Sequence, residues 1–271
     1  TGSTIDVIMG LLYLEKKFNS CKTALSNNII ENQDVDEYYQ SLGIVNDFKI
    51  EFLNFEILWI YQKLLYPNNF DETVNSHLKN NKIDFIVIPI GIEQENGSHA
   101  NILFWDIKKN EVERFEPNGS SCPYQLNYNP QLLDQLIRNK LTCFNKKLKY
   151  FPPDTYLPVL GFQQFEIQEQ AMCARIGDPN GFCAIWCNWW VDMHITYNTL
   201  CRNRLVYKLF KKIREDNIRF KNLIRNYSKN ITDLRDGILE KVNLDINDWI
   251  NETYTEEQFD KLTELIYKMI N

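Results

Sequence analysis

Residues 177–190 read "GDPNGFCAIWCNWW", and the change of character inside this stretch decides how the chain is organised. Asp178, Pro179, Asn180 and Gly181 each favour a turn. The residues after Phe182 are too uniformly apolar for a helix with a wet face, so they predict a buried helix from Cys183 to about Cys201. Cys183 then occupies the first turn, where unpaired backbone N–H groups and the helix dipole favour negative charge. A thiol placed there ionises below the ordinary value of about 8.5. Cys183 is therefore a candidate nucleophile, and Cys187, one turn deeper, reads as a structural thiol.

A nucleophilic thiol needs a base to take and return its proton, and a group to orient that base. The chain offers three histidines. His77 lies in a polar segment, and His194 falls on the helix of Cys183, about eleven positions or roughly 16 Å away, out of reach. His99 remains. It opens "HANILFWDI" (99–107), a predicted strand after the loop "EQENGS". The turn "KKNE" (108–111) leads into "VERFEP" (112–117), an alternating strand ended by Pro117. Two antiparallel strands joined by a short turn bring Glu116 beside His99, where a carboxylate can fix the imidazole tautomer and stabilise its charged form. The developing oxyanion also needs donors. The Cys183 N–H is one, and "GFQQFEIQEQ" offers Gln163, Gln164, Gln168 and Gln170, among which spacing does not choose.

Composition bounds what else the chain could be. Its 271 residues, 44% of them hydrophobic, can bury a full core without disulfide staples. The net charge of −6 is mixed throughout and argues against nucleic-acid binding. The cluster "RLVYKLFKKIR" (204–214) reads as one solvated helix face. Seven cysteines at irregular spacing suggest reduced thiols in a cytosol-like compartment. No apolar run is long enough to span a bilayer and no segment reads as a signal peptide. The opening "TGS" reads as a cloning remnant. No phosphate loop or dinucleotide fingerprint is present, and no cofactor or metal is expected. The alternative of a zinc site from Cys173, Cys183, Cys187 and His194 lacks a C-x-x-C pair, and its three helical members spread over about three turns.

Periodicity gives the outline. Residues 4–67 read mostly as helices, among them "IDVIMGLLYLEKKF" and "FKIEFLNFEILWIYQKLLY", followed by a loop and a short helix in "YPNNFDETVNSHLKNNKI". "IDFIVIPIGI" (83–92) reads as a buried strand. "QLLDQLIRNKLTCF" (131–144) predicts a helix, "KKLKYFPP" and "GFQQFEIQ" predict strands, and residues 203–226 and 232–270 are charged and helical. The fold class is therefore α+β, with a central mixed sheet packed on the helix that starts at Cys183 and helical additions at both ends. The division is 4–82 as an N-terminal helical region, 83–202 as the core, and 203–271 as a C-terminal helical extension packed on the core or forming a small lobe.

The order His, acid on the following strand, Gln, then Cys opening a buried helix resembles the clan CE cysteine proteases, which include the adenovirus protease and the SUMO and ubiquitin-like-protein proteases. The match runs from about Ile83 to Tyr197. The pieces "HANILFWD", "RFEPNG", "GFQ" and "DPNGFCAIW" look closer still to thiol proteases of giant DNA viruses, and the Asn-, Lys- and Ile-rich composition of an AT-rich genome agrees. The resemblance implies a papain-like or adenovirus-protease-like fold, with Cys183 as nucleophile, His99 as base and acid, and Glu116 as orienter. It carries the oxyanion role to Gln163, with Gln164 second. Trp186, Trp189 and Trp190 read chiefly as core; Trp186, Gln164 and Ala100 are the candidate substrate contacts.

Four positions depart from the pattern, one of them Ala184 in place of the usual Gly after the nucleophile. The acid is Glu116 where most relatives have Asp. Ala100 follows the histidine where the SUMO proteases have Trp, and Gly177 occupies the usual oxyanion position six before the cysteine. What the resemblance implies is a cysteine peptidase or isopeptidase acting on ubiquitin or a ubiquitin-like modifier after a Gly-Gly-type tail. Maturation of viral precursor proteins at similar sites, or a non-catalytic modifier-binding or virion module, are the alternatives. The chain is expected to act as a monomer, without nucleic-acid or membrane partners, in a reducing compartment or, if virally encoded, in the host cytoplasm or the virion.

Overall fold

The computed structural model describes residues 4–25, 33–42, 55–94, 97–121, 128–169 and 182–271. The chain has a mixed α+β fold. Helix α1 (Thr4–Lys17) leads into strand β1 (Cys21–Thr23), followed by α2 (Gln33–Ser41), the hairpin β2 (Ile57–Ile60) and β3 (Lys63–Leu65), and α3 (Phe70–Lys79). Three longer strands come next, β4 (Phe85–Gln94), β5 (Gly97–Asp106) and β6 (Glu111–Phe115). Helix α4 (Pro130–Thr142), strand β7 (Lys149–Phe151), α5 (Phe162–Gln168) and α6 (Cys183–Thr196) complete the centre. The C-terminal part is α7 (Arg202–Glu215), α8 (Phe220–Glu240), α9 (Ile246–Ile250) and α10 (Glu256–Ile270).

The sheet runs in the order β3-β2-β4-β5-β6-β7. The β4–β5–β6 meander is antiparallel; β7 joins β6, and β2 joins β4, in parallel. Because β5 takes one edge of β4 along its length, β1 and β2 share the other, β1 against Phe85–Val87 and β2 against Ile90–Ile92. Helix α6 is buried along nearly its whole length, its apolar side chains interrupted by the buried Asn188, Asp192 and His194. It packs on one face of the meander, where Trp190 stacks on Phe115 with centroids 4.9 Å apart. Helix α4 covers the other face through Asp134 on Arg114.

The N-terminal region departs from expectation. The predicted helix in "FKIEFLNFEILWIYQKLLY" is instead the β2–β3 hairpin from Ile57 onward, and its residues 48–54 lie outside the described residues. The hairpin turns on Tyr61 and Gln62, both at positive φ (43° and 65°), without the Asn-Gly pair that marks such turns in a sequence. Residues 4–82 are thus not a helical region, since three of their segments are strands of the central sheet. Helix α1 forms as predicted and lies against α6 and α8. At Gly10 a Cβ would overlap the Asn188 amide, so the missing side chain sets the close approach of α1 to α6.

"GFQQFEIQ" is also corrected, from strand to the helix α5. Phe162 and Phe165, one turn apart, both pack on Phe210 of α7 and Phe220 of α8, which favours the helical period over the alternating one. The basic cluster of α7 keeps Leu205, Val206, Leu209 and Ile213 inward and Lys208, Lys211 and Lys212 exposed. No helix among the described residues is long and apolar enough to cross a membrane.

Candidate active site

Register explains how the polar residues meet. In the β5–β6 ladder Ile102 faces Phe115 and Leu103 faces Arg114. Extended by one residue past its last pair, the same register sets Asn101 opposite Glu116, and the chain then turns over 116–119, with Gly119 N–H on the Glu116 carbonyl at 3.0 Å. Alternation then puts His99 and Asn101 of β5, and Arg114 and Glu116 of β6 and its exit, on one face. Diagonal neighbours on such a face are within reach of long side chains. His99 Nε2 donates to Glu116 Oε1 at 2.7 Å across one such diagonal, and Arg114 Nη1 donates to Asn101 Oδ1 at 2.5 Å across the next.

Glu116 is fully engaged. Its Oε1 accepts from His99 and from the Asn118 N–H at 2.9 Å. Its Oε2 accepts from Asn101 Nδ2 at 2.8 Å and from the Tyr128 hydroxyl at 2.9 Å. Burial alone would raise the carboxyl, but the His99 charge and these donors outweigh it and hold it down at about 2. Glu116 is thus an anion at any neutral pH.

His99 and Cys183 are neighbours that shift each other's titration. Burial opposes the imidazolium, yet Glu116 and the Cys183 partner lift it to about 10. Burial likewise opposes the thiolate, while the His99 hydrogen bond and charge and a backbone hydrogen bond from Ala100 bring it down to about 7. The two shifts point the same way, favouring a proton on the imidazole and negative charge on the sulfur. Cys183 is the first residue of the 14-residue α6, so the helix N-terminus adds to the same preference. All three side chains are buried, with 5% of Cys183, 6% of His99 and 2% of Glu116 exposed.

The other sequence-predicted residues fall in different places. Gln164 Nε2 donates to Asn118 Oδ1 at 2.9 Å, and Asn118 Nδ2 lies 3.4 Å from His99 Nε2, which places Gln164 behind the imidazole. Gln163 is held by its backbone N–H on the Pro117 carbonyl at 3.0 Å, and its Oε1 is buried without a hydrogen-bond partner. Gln168 is exposed, and Gln170 and Gly177 lie outside the described residues, as does the 178–181 turn. Ala100 is buried and meets the site through its backbone, its carbonyl accepting from Cys187 Sγ at 3.6 Å. Trp186 corrects an expectation: it is fully buried against the rings of Phe162, Trp189 and Phe220, and so is a core side chain rather than a substrate contact. Of the alternative zinc set, Cys183 faces His99 while His194 Nδ1 bonds Glu113 Oε1 at 2.7 Å; Cys173 lies outside the described residues. His77 is half-buried and bonds the Thr23 carbonyl.

Sequence reasoning missed several groups. Asn101, Arg114 and Asn118 are buried polar residues in or beside strands, and the pair Glu113–Arg114, with one charge on each face of β6, was the available signal. Glu56 was missed because its neighbourhood read as a helix. It is buried on the α6 side against Gly91, where a Cβ would meet Glu56 Oε2 at 2.8 Å. Burial, with the charges of Glu93 and Cys183, pushes its carboxyl up to about 8.

Chemically, the arrangement joins a thiol poised to ionise, a base that can carry its proton and an ionised acid that fixes the base. No family model matches the chain. A protein of Acanthamoeba polyphaga mimivirus, named for ankyrin repeats, is 41% identical over 262 residues, or 94% of the chain. The chain spans about a third (34%) of that protein's length. Among solved structures, the Chlamydia trachomatis effector protein Cdu1 bound to ubiquitin aligns at 10% identity with a TM-score of 0.40, covering 87% of this chain and 94% of its own. The Chlamydia trachomatis effector ChlaDUB1 has the same identity and TM-score, over 87% and 85%. The Chlamydia abortus effector ChlaDUB aligns at 10% identity and a TM-score of 0.31, over 86% and 98%.

Proposed function

We propose that the chain is a cysteine isopeptidase or peptidase that removes ubiquitin or a ubiquitin-like modifier by cutting after a Gly-Gly-type tail. The observation that carries this reading is the buried sequence of contacts Glu116–His99–Cys183, with the thiol at a helix N-terminus. The modifier as substrate rests on the motif resemblance of residues 83–197.

In this mechanism the Cys183 thiolate attacks the carbonyl carbon of the terminal glycine, and the carbonyl π electrons move to its oxygen. The Cys183 N–H and the Gln163 side chain stabilise that oxyanion. Collapse breaks the C–N bond as the His99 imidazolium gives its proton to the leaving amine. Neutral His99 then takes a proton from water, whose oxygen attacks the thioester and releases the glycine carboxylate and Cys183. Glu116 stays ionised throughout. Burial of the thiol selects a thin, side-chain-poor tail, since bulkier residues beside the scissile bond are sterically excluded.

Residues 4–202 form one catalytic unit on this reading, because β1–β3 belong to the sheet and α1 supports α6, and residues 203–271 brace α5 and α6 from behind. Processing of a viral precursor at Gly-Gly-type sites is the second reading, favoured by the likeness to a mimivirus protein. Ubiquitin, SUMO and related modifiers carrying a C-terminal electrophile, tested beside Cys183→Ala, separate the two. An adduct lost in the variant supports modifier removal. Labelling of Cys183 by a short Gly-Gly-aldehyde peptide, with no reaction of any full modifier, points to precursor processing, and a folded protein inert to all of them contradicts both.

A further inference from the structure

We infer that Asn101 and Arg114 are positioning residues of the thiol site, transmitting the hold of α4 to Glu116 and thence to His99. The inference rests on the Cys183–His99–Glu116 reading and extends it to residues that touch neither substrate nor sulfur.

The chain of contacts is continuous. Asp134 of α4 grips Arg114 with both oxygens, Oδ1 on Nε at 2.7 Å and Oδ2 on Nη2 at 2.8 Å. The Tyr150 hydroxyl of β7 donates to Asp134 Oδ1 at 2.6 Å. The guanidinium is left with Nη1 aimed at Asn101 Oδ1, at 2.5 Å. That bond fixes which end of the Asn101 amide faces which way, since an arginine only donates. The Asn101 NH2 must then point at Glu116 Oε2, as it does at 2.8 Å. Arg114, Asn101 and Glu116 are all buried, so each polar contact is made where an unpaired group would be costly.

The alternation of fixed partners has a consequence for the nucleophile. Four groups hold Glu116 in place: His99 and Asn101 from β5, the Asn118 N–H from its own strand exit, and Tyr128 from the segment before α4. Of these four, Asn101 is the one whose other side-chain end is held by Arg114. If it let go, Glu116 would rotate toward Tyr128 and its alignment on His99 would loosen. Among the described residues, the charged or titratable groups around the His99–Cys183 pair are Glu116 and Tyr128 from the β6 side, Glu56 and Glu93 from the β2–β4 side, and Cys187 from α6. Arg114 reaches the pair through Asn101, and its charge also acts on Tyr128, which bonds Glu116.

The test follows the rate of Cys183 alkylation by iodoacetamide against pH, which needs no substrate. The variant is Arg114→Met with Asp134→Leu, which removes both buried charges together, so neither is left unpaired. Melting by circular dichroism reports folding, and turnover of a modifier-based substrate gives kcat and KM separately. If Arg114 positions the site, the midpoint of alkylation rises by about one pH unit, a tenfold loss of thiolate near neutrality. kcat then falls while KM holds. An alkylation profile coinciding with the parent's, in a folded double variant, overturns the inference. Should that variant fail to fold, Asn101→Ser, too short to span Arg114 and Glu116, carries the same expectation and the same refutation. A parent protein whose Cys183 alkylates no more readily below pH 8 than a free thiol would instead remove the reading of the site itself.

Discussion

His99 and Glu116 meet across a diagonal of the β5–β6 ladder, at 2.7 Å, rather than as directly opposed residues. Asn101, next along the register from the last ladder pair, and the N–H of Asn118 in the following turn both bond to the acid. The offset makes room for this: each oxygen of Glu116 has two donors. Replacing the carboxylate by an amide of equal size should therefore cost more than a lost hydrogen bond. In Glu116→Gln the imidazolium loses its counter-charge, and kcat/KM for a modifier substrate is expected to fall by about 10²-fold or more. Steady-state kinetics beside a melting curve would show it; a loss under threefold would mean the carboxylate charge does not matter.

The pH profile follows from the same pair. kcat/KM should rise as pH increases through about 7, where Cys183 ionises, and fall again toward about 10, where His99 gives up its proton. For stability, the His99 contribution is full below the ordinary histidine value of about 6.5 and disappears as pH rises through the folded value. Glu116 acts in the opposite direction, contributing above the ordinary glutamate value and losing its contribution only as pH falls through about 2. A kcat/KM profile flat from pH 6 to 9 would be inconsistent with an ion pair.

Glu56 has the sign of a liability. A carboxyl held up at about 8 favours the folded state when protonated, so its stabilising share is present below the ordinary glutamate value and is lost as pH climbs through 8. Glu56→Gln should raise the melting temperature at pH 8.5 and leave it nearly unchanged at pH 4.5. An equal shift at both pH values would place the effect in packing instead.

Gly161 admits the acid-bearing loop. Its N–H bonds the Asn118 carbonyl at 2.7 Å, and a Cβ there would lie 2.5 Å from the Pro117 carbonyl oxygen, against backbone that cannot swing aside. Gly161→Ala should destabilise by about 1–3 kcal/mol through overpacking. It should also displace Asn118 from His99, lowering kcat beyond what the stability change explains. Thermal melts and kcat on the same preparation would decide, and a variant matching the parent in both would show that the loop has slack.

Gln163 is the proposed side-chain oxyanion donor. Loss of one such donor typically costs about 10²–10³ in kcat. Gln163→Ala should fall in that range while leaving the pH dependence of Cys183 alkylation untouched, because the side chain has no bond to His99. Gln164→Ala should do the reverse, disturbing the pH dependence through Asn118. Exchange of those two phenotypes would reassign the roles.

The site was more legible than the frame around it. His99, Glu116 and Cys183 could be aligned because a short turn fixes what its flanking strands bring together, and a helix start after a turn is a strong local signal. The β2–β3 hairpin was illegible because its turn, Tyr61–Gln62, uses ordinary residues at positive φ, and its apolar spacing also fits a helix. Helix α5 was misread because Phe162 and Phe165 owe their period to rings on α7 and α8, some fifty residues away. The supporting residues Asn101, Arg114 and Asp134 depend on register, which sits in the pairing and not in either strand alone.

The most direct test of an activated thiolate at Cys183 is its alkylation rate as a function of pH, read by peptide mass spectrometry beside a model thiol of ordinary value, about 8.5. Half-maximal reaction of Cys183 near pH 7, shifted upward in both His99→Ala and Glu116→Gln, is the expected result. A Cys183 that titrates with the model thiol, and is indifferent to both substitutions, would contradict the account.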